Sequence, residues 1–145
     1  MDLTVLRRVL LDTSACIYFL DGAPESARHR SMVEVIELAE RGTITVLLSP
    51  ITVAELLVLP IRERNDEAEA LVRLFVASCC QVMPATTETA AFAAALRSKH
   101  GLRLPDAFIL ATALEHSVDS VIGNDDRWKR VHEITYIHLD DQPDP

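Results

Sequence analysis

The sequence predicts a three-layer α/β/α fold, with a mainly parallel sheet of four to five short strands flanked by helices. Short apolar runs alternate along the chain with longer stretches of helical periodicity. The runs are apolar throughout rather than every second residue, as in strands covered on both faces. With 145 residues, 49% of them hydrophobic, the chain can bury one sizeable core and is too short for two ordinary domains. Four glycines and sparse aromatics disfavour a sandwich or barrel. The expectation is one domain over residues 1–145, with 140–145 as a loose acidic tail.

The first strand is expected at Arg8 to Leu11, an apolar run that ends abruptly in Asp12, Thr13 and Ser14. A short helix follows to about Leu20, then a turn at Asp21, Gly22 and Pro24. Glu25 to Arg41 reads as an amphipathic helix closed by Gly42. Thr45 to Leu48 is the second strand. Ser49 and Pro50 supply an N-cap and a first-turn proline for a helix that carries Glu55 and is expected to stop before Pro60.

Asn65 caps a helix over Asp66 to Ser78, with Leu71, Leu74 and Phe75 at helical spacing. Cys80 to Met83 is a weak third strand. Thr86 or Thr87 opens an alanine-rich helix that stops at Gly101, and Pro105 starts the helix holding Asp106. Ser120 to Ile122 is the fourth strand, and 126–131 is one or two helical turns with Asp126 as its cap. Thr135 to Leu139 alternates as an edge strand.

The net charge of −8 argues against a broad basic surface gripping nucleic acid along its length, while leaving room for a local basic patch. Cys16 and the adjacent Cys79 and Cys80 form no spaced framework and suggest reduced thiols. No run reaches membrane-spanning length, and Asp12 interrupts the one stretch that imitates a signal peptide. The expected setting is therefore cytoplasmic.

Three carboxylates stand alone in apolar runs: Asp12 in VLLDTSACIYFL, Glu55 in PITVAELLVL and Asp106 in LRLPDAFILATAL. Burying an unpaired carboxylate costs several kcal/mol, so the three imply a shared counter-charge. In an open parallel sheet, functional groups gather beyond the carboxyl ends of the strands. Asp12 and Asp125 follow strands directly, and Glu55 and Asp106 lie early in helices starting from that edge. Two carboxylates about 4 Å apart repel by roughly 4 kcal/mol at an effective dielectric near 20, and a divalent cation removes that repulsion. All-oxygen donors without HxxxH or CxxC spacing favour one or two magnesium or manganese ions over zinc. Phosphoryl chemistry is the natural consequence.

The segments LDTSACIYFLDG, ITVAELL, RLPDAFILATAL and GNDDRW, in this order, resemble the PIN-domain ribonucleases, particularly the VapC-like toxins of toxin–antitoxin pairs. The resemblance spans nearly the whole chain. It implies that Asp12, Glu55, Asp106 and Asp125 form a metal-binding acidic quartet, with the adjacent Asp126 as the alternative fourth acid, and with Ser14 and Asn124 orienting water or a neighbouring carboxylate. It further implies cleavage of structured RNA to 5′-phosphate and 3′-hydroxyl ends. An antitoxin that wraps an apolar groove and a homodimer within a larger toxin–antitoxin complex are also implied. One departure is Gly123, where the family often has threonine, so a hydroxyl is missing.

Candidate RNA-phosphate contacts are Arg97, Lys99, His100 and Arg103 before Asp106, and Arg127, Lys129 and Arg130 after Asp125. Each also has a simpler reading as a solvated helix end. Trp128 suits a core edge better than a base stack. Other function classes are a phospho-acceptor receiver-like signalling domain and a catalytically silent PIN-like scaffold. The first wants paired acids after strand one and a lysine near the last strand, and this chain has neither.

Overall fold

The computed structural model describes residues 3–142. Five strands, β1 (Arg8–Leu11), β2 (Thr45–Leu48), β3 (Gln81–Val82), β4 (Ser120–Gly123) and β5 (Tyr136–His138), form one sheet in the order β3-β2-β1-β4-β5. Every pairing is parallel. Six helices connect them: α1 (Thr13–Asp21), α2 (Ala27–Glu40), α3 (Pro50–Arg62), α4 (Asp66–Cys79), α5 (Thr87–His100) and α6 (Leu104–Glu115). This is the expected three-layer architecture.

Strand periodicity sorts the core into two halves. Val9, Leu11, Val46, Leu48 and Ile122 face one side, where they meet Cys16 of α1, Val35 of α2 and Phe75 of α4. Leu10, Leu47 and Val121 face the other and pack on Leu96 of α5, Leu110 of α6 and Trp128. The three central strands β1, β2 and β4 thus bury both faces, which is why no polar alternation marks them in the sequence. Trp128 is 1% exposed and belongs to this second core, so its ring has no free face for a base.

Several boundaries differ from expectation. α3 runs through Pro60 to Arg62 because a proline in a last turn forfeits only its own N–H, while the Glu63 and Asn65 amides still bond back to the Leu59 and Pro60 carbonyls. α2 starts at Ala27, with the Ser26 side chain accepting from the His29 amide as its cap. β3 is two residues long rather than four, at the sheet edge beside β2.

The expected acidic tail, residues 140–145, starts in a short turn. Leu139–Asp141 form a 3-10 turn; Asp140 is ion-paired to Arg28 and Asp141 to Lys129. Residues 143–145 of that tail lie outside the described residues. No helix among the described residues is long and apolar enough to cross a membrane.

The order of strands places the site. The chain leaves β1 towards β2 and β3, then returns to add β4 and β5 on the other side of β1. Strand order therefore reverses between β1 and β4, and the crevice beyond their carboxyl ends is where such sheets bind ligands.

Candidate functional site

Asp12 continues the β1 ladder, its amide donating to the Ile122 carbonyl at 2.9 Å, and then caps α1. One carboxylate oxygen accepts from the Thr13 amide at 2.7 Å and the other from the Ser14 hydroxyl at 2.8 Å. The Ser14 oxygen in turn accepts from the Asn124 amide at 3.1 Å, so one hydroxyl joins the ends of β1 and β4. Asp12 is 7% exposed. Burial pushes its pKa up to about 6 against the lowering effect of the Ser14 and Thr13 bonds, and the nearby Asp106 and Glu55 charges push the same way.

Asp106, in the first turn of α6, is 6% exposed. It is not unpartnered, as its apolar surroundings suggest: Arg103 Nε reaches its Oδ2 at 3.0 Å and Arg127 Nη2 stands 3.7 Å from the same oxygen. Asp125 is half-buried and grips Arg127 at 2.5 Å, and this hydrogen-bonded guanidinium holds the carboxyl below the usual carboxylate range. Asp125 also caps the 3-10 turn over Asp126–Arg130, accepting from the Arg127 amide at 2.9 Å. The expectation that Asp126 is the cap is therefore corrected. Asp126 is the first residue of that turn, its side chain 81% exposed and paired with Lys129.

Glu55 departs further from expectation. It is exposed, because α3 is not enclosed on all sides: Val58, Leu59 and Ile61 are each about half exposed or more. An apolar sequence all round a helix implied burial, but here it marks an uncovered apolar face. Glu55 still reaches the site, where the Thr13 hydroxyl donates to it.

The basic residues divide into two groups. Only Arg103 and Arg127 of the expected phosphate contacts reach the acids. Arg97 donates to the Leu102 carbonyl at 2.7 Å, while Lys99 and His100 both hold Glu133, at 2.5 and 2.8 Å. Arg130 donates to the His100 carbonyl at 2.9 Å, and Lys129 bridges Asp126 and Asp141, each at 2.9 Å. These contacts close the end of α5 and brace the last turns. Sequence reasoning missed two participants, Thr13 and Tyr136. The Tyr136 hydroxyl accepts from the Asp125 amide at 2.8 Å.

Asp12, Glu55, Asp106 and Asp125 line one polar cleft of about 480 Å³, together with Ser14 and Asn124. Among the described residues no group of three or more acid, histidine or cysteine side chains stands close enough together to hold a metal ion as placed. The donor chemistry nonetheless fits a hard divalent cation: every donor is oxygen, and the buried Asn124 Oδ1 has no hydrogen-bond partner. Arg103 and Arg127 supply the counter-charge that a cation would otherwise provide.

A family model described as PIN domain matches residues 9–134. No curated protein sequence matches the chain. Among solved structures, VapBC2 of Rickettsia felis bound to a promoter DNA fragment is similar at 17% identity and a TM-score of 0.76, over 90% of this chain and 98% of that one. DNA-bound VapBC of Salmonella typhimurium gives 20% identity and 0.76, over 92% and 99%. VapC20 of Mycobacterium tuberculosis, a sarcin-ricin loop cleaving toxin, gives 17% and 0.66, over 86% and 95%.

Proposed function

The chain belongs to the PIN-domain family, and from that premise we propose that it is a divalent-metal-dependent endoribonuclease, the toxin of a toxin–antitoxin pair. The observation that carries the proposal is the meeting of four acids, far apart in sequence, in one polar cleft at the switch point of the sheet. The similarity to a sarcin-ricin loop cleaving toxin supports RNA as the substrate, and the similarity to VapBC and toxin–antitoxin complexes supports an antitoxin partner.

Asp12, Glu55, Asp106 and Asp125 would hold magnesium or manganese, which supplies a water nucleophile at neutral pH and neutralises charge on the scissile phosphate. The chain's own groups do the rest. Ser14 locks the Asp12 carboxylate in one orientation while tying the Asn124 amide to it. The side chains of Arg103 and Arg127 are 66% and 53% exposed, which leaves each room to turn from its acid to a phosphate oxygen. The N-terminus of α6, whose capping residue Arg103 makes no side-chain cap, presents unpaired amides to the same anion.

A protein partner has a place to bind. Ile17, Leu59 and Leu71 line an apolar groove of about 300 Å³ between α1, α3 and α4, with Glu55 on its wall. A segment of the antitoxin lying there would run directly to the acidic cleft and could place a cation among the carboxylates. A homodimer within a larger toxin–antitoxin complex completes the proposal.

Purified, antitoxin-free protein incubated with total cellular RNA and magnesium or manganese should produce discrete new 5′ ends. Asp12→Asn should reduce that cleavage by a factor of about 10³ or more while keeping the fold, as loss of charge-stabilising groups does. Undiminished cleavage by the variant would remove the nuclease reading of this site, and no cleavage by the parent would favour a silent binding scaffold.

A further inference from the structure

Gly123 ends β4 at the rim of the acidic cleft, and its backbone is not in the left-handed region, so conformation does not require glycine there. Space does. A Cβ at this position would lie 2.9 Å from the Tyr136 hydroxyl oxygen, 2.9 Å from Asp12 Cβ and 3.1 Å from Asp12 Oδ2. The volume of a side chain at residue 123 is therefore already taken, and one of its occupants is a hydroxyl arriving from the neighbouring strand. Tyr136 opens β5, and its ring is held between Trp128, centroids 5.8 Å apart, and His138, 6.0 Å apart. The same hydroxyl accepts from the Asp125 amide.

We propose that Tyr136 is a positioning residue of the acidic site. Its hydroxyl stands where a hydroxyl-bearing side chain at residue 123 would reach, and by holding the Asp125 amide it fixes the turn that carries Asn124 and Asp125. The space a side chain at residue 123 would fill is thus occupied by a hydroxyl that arrives across the sheet. Burial keeps the phenol protonated far above neutral pH, so it remains a neutral hydrogen-bonding group throughout the working range. The placement of Tyr136 stands on geometry alone; its contribution to catalysis rests on the proposed nuclease function.

The test is Tyr136→Phe, which keeps the ring and removes the hydroxyl. Amide exchange at Asp125, followed by NMR, should accelerate about tenfold or more while exchange in β1 and β4 is unchanged. Calorimetric Mn²⁺ affinity should fall about tenfold, with RNA kcat reduced and KM unaltered. A role in stability alone would lower the melting temperature and leave the Mn²⁺ affinity of folded protein untouched, which would overturn the positioning role.

Gly123→Ser supplies a second measurement, by urea unfolding with and without Tyr136→Phe. The clash with Asp12 Cβ is common to both backgrounds and cancels, so serine should destabilise the Tyr136→Phe variant less than it destabilises the parent. Equal destabilisation would overturn the claim that the hydroxyl fills this space. If the parent protein neither binds Mn²⁺ nor cleaves RNA, the catalytic half falls with the nuclease reading, while Asp125 exchange and the unfolding cycle still decide where the hydroxyl acts.

Discussion

At Asp12, burial and charge oppose each other. The carboxyl must be ionised to hold a cation, yet burial pushes its pKa up to about 6, against an ordinary value of 3.8. The folded state therefore keeps its proton over a range where the unfolded chain has lost it. Stability contributed by this group falls as pH rises from about 4 to about 6, by up to about 3 kcal/mol, and levels off above. A cation binds the ionised form and recovers that loss. Magnesium or manganese should accordingly raise the melting temperature strongly at pH 7.5 and little at pH 5, and Asp12→Asn should flatten the difference. Equal metal stabilisation at both pH values would show that Asp12 is not the group the cation meets.

The same scale shows where single residues were legible. Asp12 and Asp106 are as buried as their apolar neighbours imply. Their supposed isolation was the error for Asp106, although Arg103 three residues before it has the helical spacing of an ion pair. Reading Arg103 as a phosphate contact concealed its partner. Gly123 was noticed as a lost hydroxyl, but the Tyr136 hydroxyl that stands beside it lies 13 residues on in another strand, and only strand pairing brings it back.

Among the elements, α3 is the instructive case. A helix with Ile51, Val53, Ala54, Leu56, Leu57, Val58 and Leu59 reads as enclosed, because an uninterrupted apolar surface ordinarily needs cover on every side. Leu56 is buried, while Val58, Leu59 and Ile61 face outwards. Sequence reports how apolar a surface is and not whether it is covered by this chain or by another. Large exposed apolar patches mark partner sites, and this one adjoins the groove beside Glu55.

Leu59→Asp combined with Leu71→Asp should leave thermal stability nearly unchanged, since both side chains are about half exposed. RNA cleavage by the variant should persist, while neutralisation by the cognate antitoxin weakens by a factor of about 100 or more, as for the loss of central apolar anchors. Full neutralisation of the variant would place the antitoxin on another surface.

For the whole molecule, the architecture was legible because each strand is a short apolar block and each helix begins with recognisable chemistry, such as Ser49 before Pro50 and Asn65 before Asp66. Strand order was not, since it is set by how helices pack across the sheet. The convergence of the acids nonetheless follows from a coarser fact, that residues after strands and early in the following helices share one edge. One contact at the start of the expected tail was illegible for a similar reason: Asp140 finds Arg28, 112 residues away, in a pairing that no local pattern announces.

The net charge of −8 is compatible with the proposed RNA substrate because the site-facing cations among the described residues, Arg103 and Arg127, sit on the acids themselves. A cation that takes over those carboxylates would release Arg103 and Arg127 towards the substrate. The central claim is that the four acids form a divalent-ion site, and the most direct measurement is a calorimetric titration of Mn²⁺ into the parent protein and into Asp106→Asn. Saturable binding by the parent, weakened about tenfold or more in a variant that melts at a similar temperature, is the predicted result. Absence of binding by the parent, or equal affinity in both proteins, would contradict it.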